Sequence, residues 1–123
     1  MDMLLDHERL EVYQVSREFS REVAAIIAEL PRGAGEPADN LRRATASITR
    51  NIAEAWGRAT PEEKAHYLHI ARGSTAEASA SLTELVDFGF TTADRVQAAK
   101  TLAWRIISML VGLIRAQGIP IGT

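Results

Sequence analysis

The chain has 123 residues, of which 46% are hydrophobic and none is cysteine, and its formal net charge is −2. This length suits one domain with one hydrophobic core, and the absence of cysteine excludes disulfides and thiolate metal sites. Residues 1–10 carry acids where a secretory signal needs positive charge, and the most apolar segment, 106–114, is shorter than the ~20 residues of a membrane span. We therefore expect one cytoplasmic domain, residues 1–123, that does not enter a membrane.

The charged residues are distributed unevenly along the chain. Residues 1–40 hold nine acids and four bases, whereas residues 41–59 hold four arginines and a single acid, Glu54. An asymmetry of this kind is typical of a surface that meets a partner. The candidate contacts for RNA or a protein partner are therefore Arg42, Arg43, Arg50 and Arg58. The alternative is an ordinary solvated helix face, because arginine is common on protein surfaces.

The first predicted helix covers residues 8–29, because apolar residues recur there at steps of three and four. Its core stripe consists of Val12, Val15, Phe19, Val23, Ile26 and Leu30. Two prolines and two glycines in residues 31–37 end it. The second predicted helix covers residues 38–56, with Ile48 and Ile52 in its core stripe. We expect Gly57 to stop this helix in the left-handed conformation.

The third predicted helix covers residues 61–87, with Thr60 as its N-cap. Its middle, residues 73–81, consists almost entirely of small side chains. Small side chains let a neighbouring helix approach closely, so we expect Ser74 and Ala78 to lie on a packing surface. The alternative, a flexible Gly/Ser linker, is disfavoured because the apolar period continues through the segment.

Two apolar stripes lie on the fourth predicted helix, residues 92–117, which Thr91 or Thr92 caps. The first consists of Val96, Ala99, Ala103, Ile106, Leu110 and Leu113, and the second of Trp104, Ile107, Val111 and Ile114. A bundle needs only one stripe, so we expect other copies of the chain to bury the second. The sequence thus predicts an all-α fold, a four-helix bundle that assembles as an oligomer.

Residues typical of catalytic or metal sites are sparse. No glycine-rich loop follows a strand, and no serine stands in a recognisable nucleophile motif. Glu63 and His66 have the spacing of metal ligands on one helix face, but carboxylate-bridged metal bundles need two such pairs. We therefore expect no enzyme activity, no metal and no cofactor. Asn51 and Glu54, which lie beside the apolar stripe of the second helix, are expected to form hydrogen bonds between helices.

A family pattern links much of the chain. Its most distinctive parts are the N-I-A-E run at 51–54 and the I-A-R-G-S run at 70–74, with further matches at 10–14, 30–31, 40–44, 47–48, 57–58, 67–68 and Glu77. Over about residues 10–117 the chain resembles the small proteins encoded within intervening sequences of bacterial 23S ribosomal RNA genes. It is also similar to the accessory variability protein of diversity-generating retroelements. Asn40, Ala55 and Ala78 stand where the family usually has glutamine, glycine and leucine.

The resemblance implies an up-down four-helix bundle that assembles as a cyclic homopentamer. Four polar residues of its pattern are candidates for contacts between helices: Asn51, Glu54, Ser74 and Glu77. The retroelement proteins are strongly basic and bind nucleic acid and a reverse transcriptase, whereas this chain is slightly acidic. Two functions remain open. The first is a non-enzymatic oligomeric adaptor that binds RNA or a reverse-transcriptase-like protein. The second is a structural ring without nucleic acid, whose arginines form salt bridges between subunits with acids of the first helix.

Overall fold

The fold consists of four α-helices that follow one short turn. The structure, a computed structural model, describes residues 3–118. A 3-10 turn over Asp6–Arg9 precedes α1 (Glu11–Glu29), α2 (Gly35–Trp56), α3 (Pro61–Asp87) and α4 (Ala93–Ala116). Residues 3–118 contain no strand, so the predicted all-α class is confirmed.

The four helices of the chain pack side by side around a common core. Each helix packs against the next in the chain, and α1 packs against α4, whereas the diagonal pairs do not come into backbone contact within the described residues. Arg95, near the start of α4, forms an ion pair with Glu29 at the end of α1, so these helices are antiparallel. The other neighbours are joined by connections of four or five residues. The helices therefore alternate in direction around one shared core, as in an up-down bundle.

One apolar stripe from each helix fills the core. The largest fully buried side chains are Phe19, Ile26, Leu41, Ile48, Ile52, Leu68, Leu82, Leu85, Val96, Ile106, Leu110 and Ile114. Five of the six residues predicted for the first helix stripe are buried, and the sixth, Leu30, is half-buried against the core. Burial of such side chains is the main favourable term in folding.

Two helix starts differ from the prediction by three residues, and α4 begins one residue later than predicted. Leu10 has an extended backbone (φ −72°, ψ 132°), so it separates the Asp6–Arg9 turn from α1, and α1 begins at residue 11 rather than 8. Helix α2 begins at Gly35, three residues before the predicted start. Pro37 does not prevent this, because it lies in the first turn, where backbone N–H groups have no partner within the helix.

The predicted N-caps are present at α3 and α4. The Thr60 hydroxyl accepts a hydrogen bond from the Glu63 backbone N–H at 3.1 Å, and the Thr92 hydroxyl accepts one from the Arg95 backbone N–H at 3.2 Å. Each cap satisfies a backbone donor that the first helical turn leaves unpaired. The α3 helix has the bounds that the sequence predicted.

The expected conformation of Gly57 is wrong. Its φ is −83°, in the right-handed region, and its N–H bonds to the Ala53 carbonyl. The left-handed glycine is Gly89, after α3, with φ +79°. There the Phe90 N–H bonds to the Leu85 carbonyl at 2.9 Å, the contact that characterises a helix ending in a left-handed glycine.

The assignment of Ile114 to the exposed stripe of α4 is also wrong. Ile114 is fully buried and belongs to the core, whereas Leu113 is half-buried at the edge of the core. Val96 and Ile114 are eighteen residues apart, which is five turns of an α-helix, so they lie on the same line of the helix surface. The second stripe therefore keeps three of its four predicted members: Trp104, Ile107 and Val111.

The small-residue segment of α3 packs as predicted on one side only. Ser74, Thr75, Ala78 and Ser81 are buried, and α2 and α3 form the most extensive helix contact in the bundle. The intervening residues Gly73, Ala76 and Ala80 are exposed.

Helix α4 is the one helix of the described chain that is long and apolar enough to cross a membrane. The core helix of a soluble protein meets the same criterion, and α4 contributes six buried side chains to this core. Its length and composition are therefore weak evidence for a membrane span.

Candidate functional site

The candidate arginines of α2 differ in their partners. Arg42 forms an ion pair with Asp39 at 2.8 Å, and Arg43 donates a hydrogen bond to the Asn40 side chain at 2.9 Å. Arg50 is exposed, and its side chain makes no ion pair or hydrogen bond with any residue in 3–118. Arg43 and Arg50 are seven residues apart, so they lie near one line on the exposed face of the helix.

Arg58 differs from Arg43 and Arg50 in lying beyond the end of α2. It follows the end of α2 and bonds to the Glu54 carboxylate at 2.5 Å and to the Tyr67 hydroxyl at 2.9 Å. Its guanidinium carbon lies 4.8 Å from the centre of the Tyr67 ring. The hydrogen bond to Glu54 raises the pKa of Arg58 above its ordinary value. Arg58 therefore joins the end of α2 to α3.

Two of the four motif residues connect α2 to α3. Asn51 Nδ2 donates to the Ser47 carbonyl at 2.8 Å and lies 3.0 Å from Ser47 Oγ. Ser47 Oγ lies 2.7 Å from Ser74 Oγ. Asn51, Ser47 and Ser74 thus form a polar chain across the α2/α3 seam. Sequence reasoning missed the central position of Ser47, although Ser47 belongs to the same family pattern.

The other two motif residues do not bond directly between helices. Glu54 is exposed and bonds to Arg58, which in turn bonds to Tyr67 of α3, so within residues 3–118 Glu54 is linked to α3 through Arg58. Glu77 is exposed and forms no ion pair or side-chain hydrogen bond with residues 3–118. Its assignment as an interhelix polar residue is wrong, because three positions after the buried Ser74 the α3 surface faces outward.

A continuous groove lies between α1 and α2. Its central depression, about 480 Å³ in volume, is lined by Ser20, Val23, Ala24, Ile27, Ala28, Arg42, Thr45 and Ala46. Ser20 and Ala24 also line the next depression toward Tyr13, and Ile27 and Arg42 line the one toward Leu30. From Tyr13 to Leu30 the groove therefore extends about 25 Å at 1.5 Å per residue. We call it the α1/α2 groove.

Two arginines of α1 extend the positive charge across this groove. Arg17 and Arg21 are exposed and line the end near Tyr13, so the groove has arginines on both rims. Sequence reasoning missed them because they lie in the acidic first third of the chain. Their spacing of four residues could have indicated a shared surface, since it places them together on one side of α1.

The acids of α1 lie on its opposite side, toward α4. Arg95 forms ion pairs with Glu22 at 2.8 Å and Glu29 at 2.6 Å, and Arg105 lies 3.9 Å from Glu11. The hydrogen bond from Arg95 lowers the pKa of Glu29, and the two carboxylates raise the pKa of Arg95. Glu11 and Glu22 therefore already have cationic partners within the subunit.

Large apolar side chains remain uncovered on α4. Trp104 is 70% exposed, and Ile107 and Val111 are partly exposed. On the adjoining α3, Ile70 is 38% exposed. We call Trp104, Ile107 and Val111 the α4 apolar surface.

The described residues contain no group of three or more His, Asp or Glu side chains that could hold a metal ion. His66 is exposed and lies edge-on to the Tyr67 ring, with ring centres 4.9 Å apart. Its contact is therefore with an aromatic ring rather than with a cluster of metal-binding groups.

Comparisons with known proteins agree with the fold. A crystal structure of a protein of unknown function from the S23 ribosomal protein family, from Bacteroides thetaiotaomicron VPI-5482, aligns with a TM-score of 0.76. The alignment covers 84% of this chain and 97% of that chain at 22% sequence identity, so it supports the fold alone. No curated protein matches this sequence. The sequence pattern of the 23S rRNA-intervening sequence proteins matches residues 8–112. The chain therefore belongs to the 23S rRNA-intervening sequence protein family.

Proposed function

We propose that this protein is a non-enzymatic cytoplasmic adaptor that assembles into a closed homo-oligomer and binds RNA on its outer surface. The observation that carries the assembly is the α4 apolar surface. Trp104 is 70% exposed and lies beside Ile107 and Val111, and soluble monomers rarely leave large contiguous apolar patches uncovered. Burial of this surface against another copy is favourable because it removes apolar area from water.

The proposed number of subunits is five. This number comes from the family resemblance and is compatible with a contact that repeats around a ring. The absence of cysteine is consistent with assembly in a reducing cytoplasm without disulfides.

Charged substitutions on the α4 apolar surface test the assembly. Ile107→Glu and Val111→Glu place an unpaired charge in the proposed interface, which weakens association by about 3–5 kcal/mol if the site is fully buried. We expect both variants to have a lower mass than the wild type by light scattering. Phe88→Glu is the control, because Phe88 is 68% exposed in the α3–α4 connection, away from this surface. Unchanged masses for Ile107→Glu and Val111→Glu would contradict the proposed interface.

Arg43 and Arg50 are the proposed RNA contacts. Both are exposed on one line of α2, and a ring of subunits repeats that line, so a weak phosphate contact gains from multivalency. Arg42 and Arg58 are weaker candidates because Asp39, Glu54 and Tyr67 already bind them. A reverse-transcriptase-like protein is the alternative partner for the same exposed surface.

Salt-dependent binding tests the RNA contact. Each phosphate that the protein neutralises contributes about 0.7 to the slope of log affinity against log salt for a single strand. We expect the wild type to bind a mixed-sequence RNA more tightly at ~50 mM than at ~200 mM salt, and Arg43→Glu with Arg50→Glu to remove most of that affinity. Arg32→Glu with Arg115→Glu changes the net charge equally at other exposed arginines and is the control. Absence of binding by the wild type at the lower salt would contradict RNA binding and leave a protein partner.

The second candidate function is a structural ring that binds no nucleic acid. It is favoured by the net charge of −2, which opposes general attraction of RNA. In that case Arg43 and Arg50 form salt bridges between subunits, and the double variant has a lower mass. Glu11 and Glu22 already pair with Arg105 and Arg95, whereas Glu18 is an exposed acid of α1 that forms no ion pair with residues 3–118.

A further inference from the structure

The α1/α2 groove has the dimensions of a docking site for one helix. Its length of about 25 Å equals that of an α-helix of about 17 residues, and two neighbouring helices border it. A third helix that lies between two packed helices contacts both of them, which is how amphipathic helices bind in hydrophobic grooves. We propose that the α1/α2 groove binds an acidic amphipathic helix of a partner protein.

The α1 side of the groove suits the apolar face of such a helix. Ser20, Ala24 and Ala28 recur every four residues, so they form one row of short side chains along α1. Val23 is buried and Ile27 is half-buried, and both line the same depression at greater depth. Rows with a four-residue spacing interdigitate in the commonest class of helix packing. The short row therefore lets a partner helix approach and place apolar side chains on Val23 and Ile27.

The α2 side of the groove is also lined by short side chains, and its hydrogen bonding is incomplete. Ala46 lines the central depression, and Thr49 lines the one toward Tyr13. Thr45 lines the central depression and is 5% exposed, and its hydroxyl is the buried side-chain polar atom of residues 3–118 that has no hydrogen-bond partner. Buried polar atoms normally have a partner. Both the packing and the hydrogen bonding of this seam are therefore incomplete in the single chain.

The charges around the groove favour an acidic partner. Its three depressions are lined by one acid, Asp39, and by four arginines: Arg17, Arg21, Arg32 and Arg42. Asp39 pairs with Arg42, and the other three arginines form no ion pair or side-chain hydrogen bond with residues 3–118. The groove is thus basic, although the chain has a formal net charge of −2. Opposite charges steer a partner to its site and exclude wrong partners, so the flanks of the docked helix should carry acids.

A protein helix suits the groove better than single-stranded RNA does. Proteins that bind single strands stack the bases on aromatic side chains, whereas the aromatic residue among the lining residues of the three depressions is Tyr13, half-buried at one end. Arg43 and Arg50, the proposed RNA contacts, do not line these depressions. The helix site and the RNA contact are therefore separate, and one subunit can hold both partners, as an adaptor must.

Two designed peptides test the helix site. The acidic peptide has about 17 residues, with leucine and alanine on one helical face and glutamate on both flanks, and the basic peptide has lysine in place of each glutamate. We expect the full chain to bind the acidic peptide at least about 10-fold more tightly than the basic one at ~150 mM salt, measured by fluorescence anisotropy. Equal affinity for the two peptides, or no binding of the acidic peptide, would overturn the proposal.

Substitutions on α1 locate the bound peptide. Ala24→Glu places a charge in the centre of the groove and should weaken binding of the acidic peptide at least about 100-fold. Ala25→Glu is the matched control, because Ala25 is exposed, does not line the groove and lies about 100° further around α1, so this variant should keep the wild-type affinity. Circular dichroism verifies the fold of both variants. Wild-type affinity in Ala24→Glu, or an equal loss in both variants, would overturn the site.

Reversal of the charges at one end of the groove tests the preference for acids. Arg17→Glu with Arg21→Glu should weaken binding of the acidic peptide about 10-fold and strengthen binding of the basic peptide, because opposite charges then face each other again. Damage to the fold would weaken both peptides alike. Loss of affinity for both peptides would therefore contradict the role of these arginines.

Other outcomes distinguish the helix site from the proposed function. A wild type that binds the acidic peptide and no RNA keeps the helix site and loses the proposed RNA contact. If Ala24→Glu abolishes RNA binding and leaves peptide affinity unchanged, the groove binds RNA. If Ala24→Glu lowers the mass of the assembly and leaves peptide affinity unchanged, a second copy of the chain occupies the groove. Either of these last two results overturns the helix site.

Discussion

The two sides of α2 use small residues in opposite ways. Toward α3, Ser74 and Ala78 are buried, and Ser47 and Ser74 form a hydrogen bond across the seam. Toward α1, Ala24 and Ala28 remain exposed, and a groove opens above Val23 and Ile27. The difference teaches that small side chains permit close helix contact and do not enforce it. Where the side chains on the solvent side of a helix contact are too short to touch those of the neighbouring helix, small residues leave a groove.

Substitution of a larger side chain in each seam tests this comparison, and it should give the largest change in the free energy of unfolding. Ala78→Leu overfills the closed seam and should lower the free energy of unfolding by about 1–3 kcal/mol. Ala46→Leu, in the open groove, should change it by less than about 0.5 kcal/mol. Denaturant unfolding at one fixed protein concentration measures both. Equal destabilisation in the two variants would contradict the contrast between the seams.

The polar contact across the closed seam provides a smaller test. Ser47→Ala removes the partner of Ser74 and one acceptor of Asn51, and should cost about 1 kcal/mol. The double variant Ser47→Ala with Ser74→Ala should cost less than the sum of the two single variants, because both remove the same hydrogen bond. Strict additivity in a double-mutant cycle would mean that the two hydroxyls do not interact.

Much of the fold was predictable because apolar residues recur at helical spacing in all four helices. The all-α class follows from it, as do the caps at Thr60 and Thr92, whose side chains act within a few residues of sequence. Ile114 was misplaced because the predicted stripe stepped from Leu110 to Leu113, whereas the helix surface returns to the Val96 line at residue 114.

The candidate site was less predictable because it depends on how helices are placed beside each other. The sequence predicts four arginines on or near α2, but Arg58 turns toward Tyr67 on α3, and Arg17 and Arg21 join from another helix. Only the packing of α1 on α2 brings these two to the same groove as Arg42. Glu77 illustrates the same limit, since membership of a family pattern does not determine which side of α3 it occupies.

Removal of the unpaired Thr45 hydroxyl should stabilise the fold, whereas the substitutions above should destabilise it. Thr45→Val keeps the side-chain shape and removes the unpaired hydroxyl, so it should raise the free energy of unfolding by about 1 kcal/mol. Thr75→Val is the matched control, because the buried Thr75 hydroxyl donates to the Ala71 carbonyl at 2.8 Å, and its loss should destabilise the fold by a similar amount. Destabilisation by both substitutions would contradict the assignment of Thr45.

The ion pairs between α1 and α4 predict that the stability of the fold depends slightly on pH. The hydrogen bond from Arg95 lowers the pKa of Glu29 in the folded chain, so this pair stabilises the fold above the unfolded-state pKa of a glutamate. That contribution is lost as the pH falls through the lowered pKa. Arg95→Met should therefore lose less stability on acidification than the wild type, measured by thermal unfolding across that range. Arg115→Met, at an exposed arginine, should keep the wild-type pH dependence.

The mass of the unmodified protein in solution tests the proposed assembly most directly. Trp104, Ile107 and Val111 are uncovered in the single chain, and we propose that a second copy buries them. Light scattering at low micromolar concentration should give a mass of five times 13.5 kDa. A mass of 13.5 kDa under the same conditions would contradict the assembly.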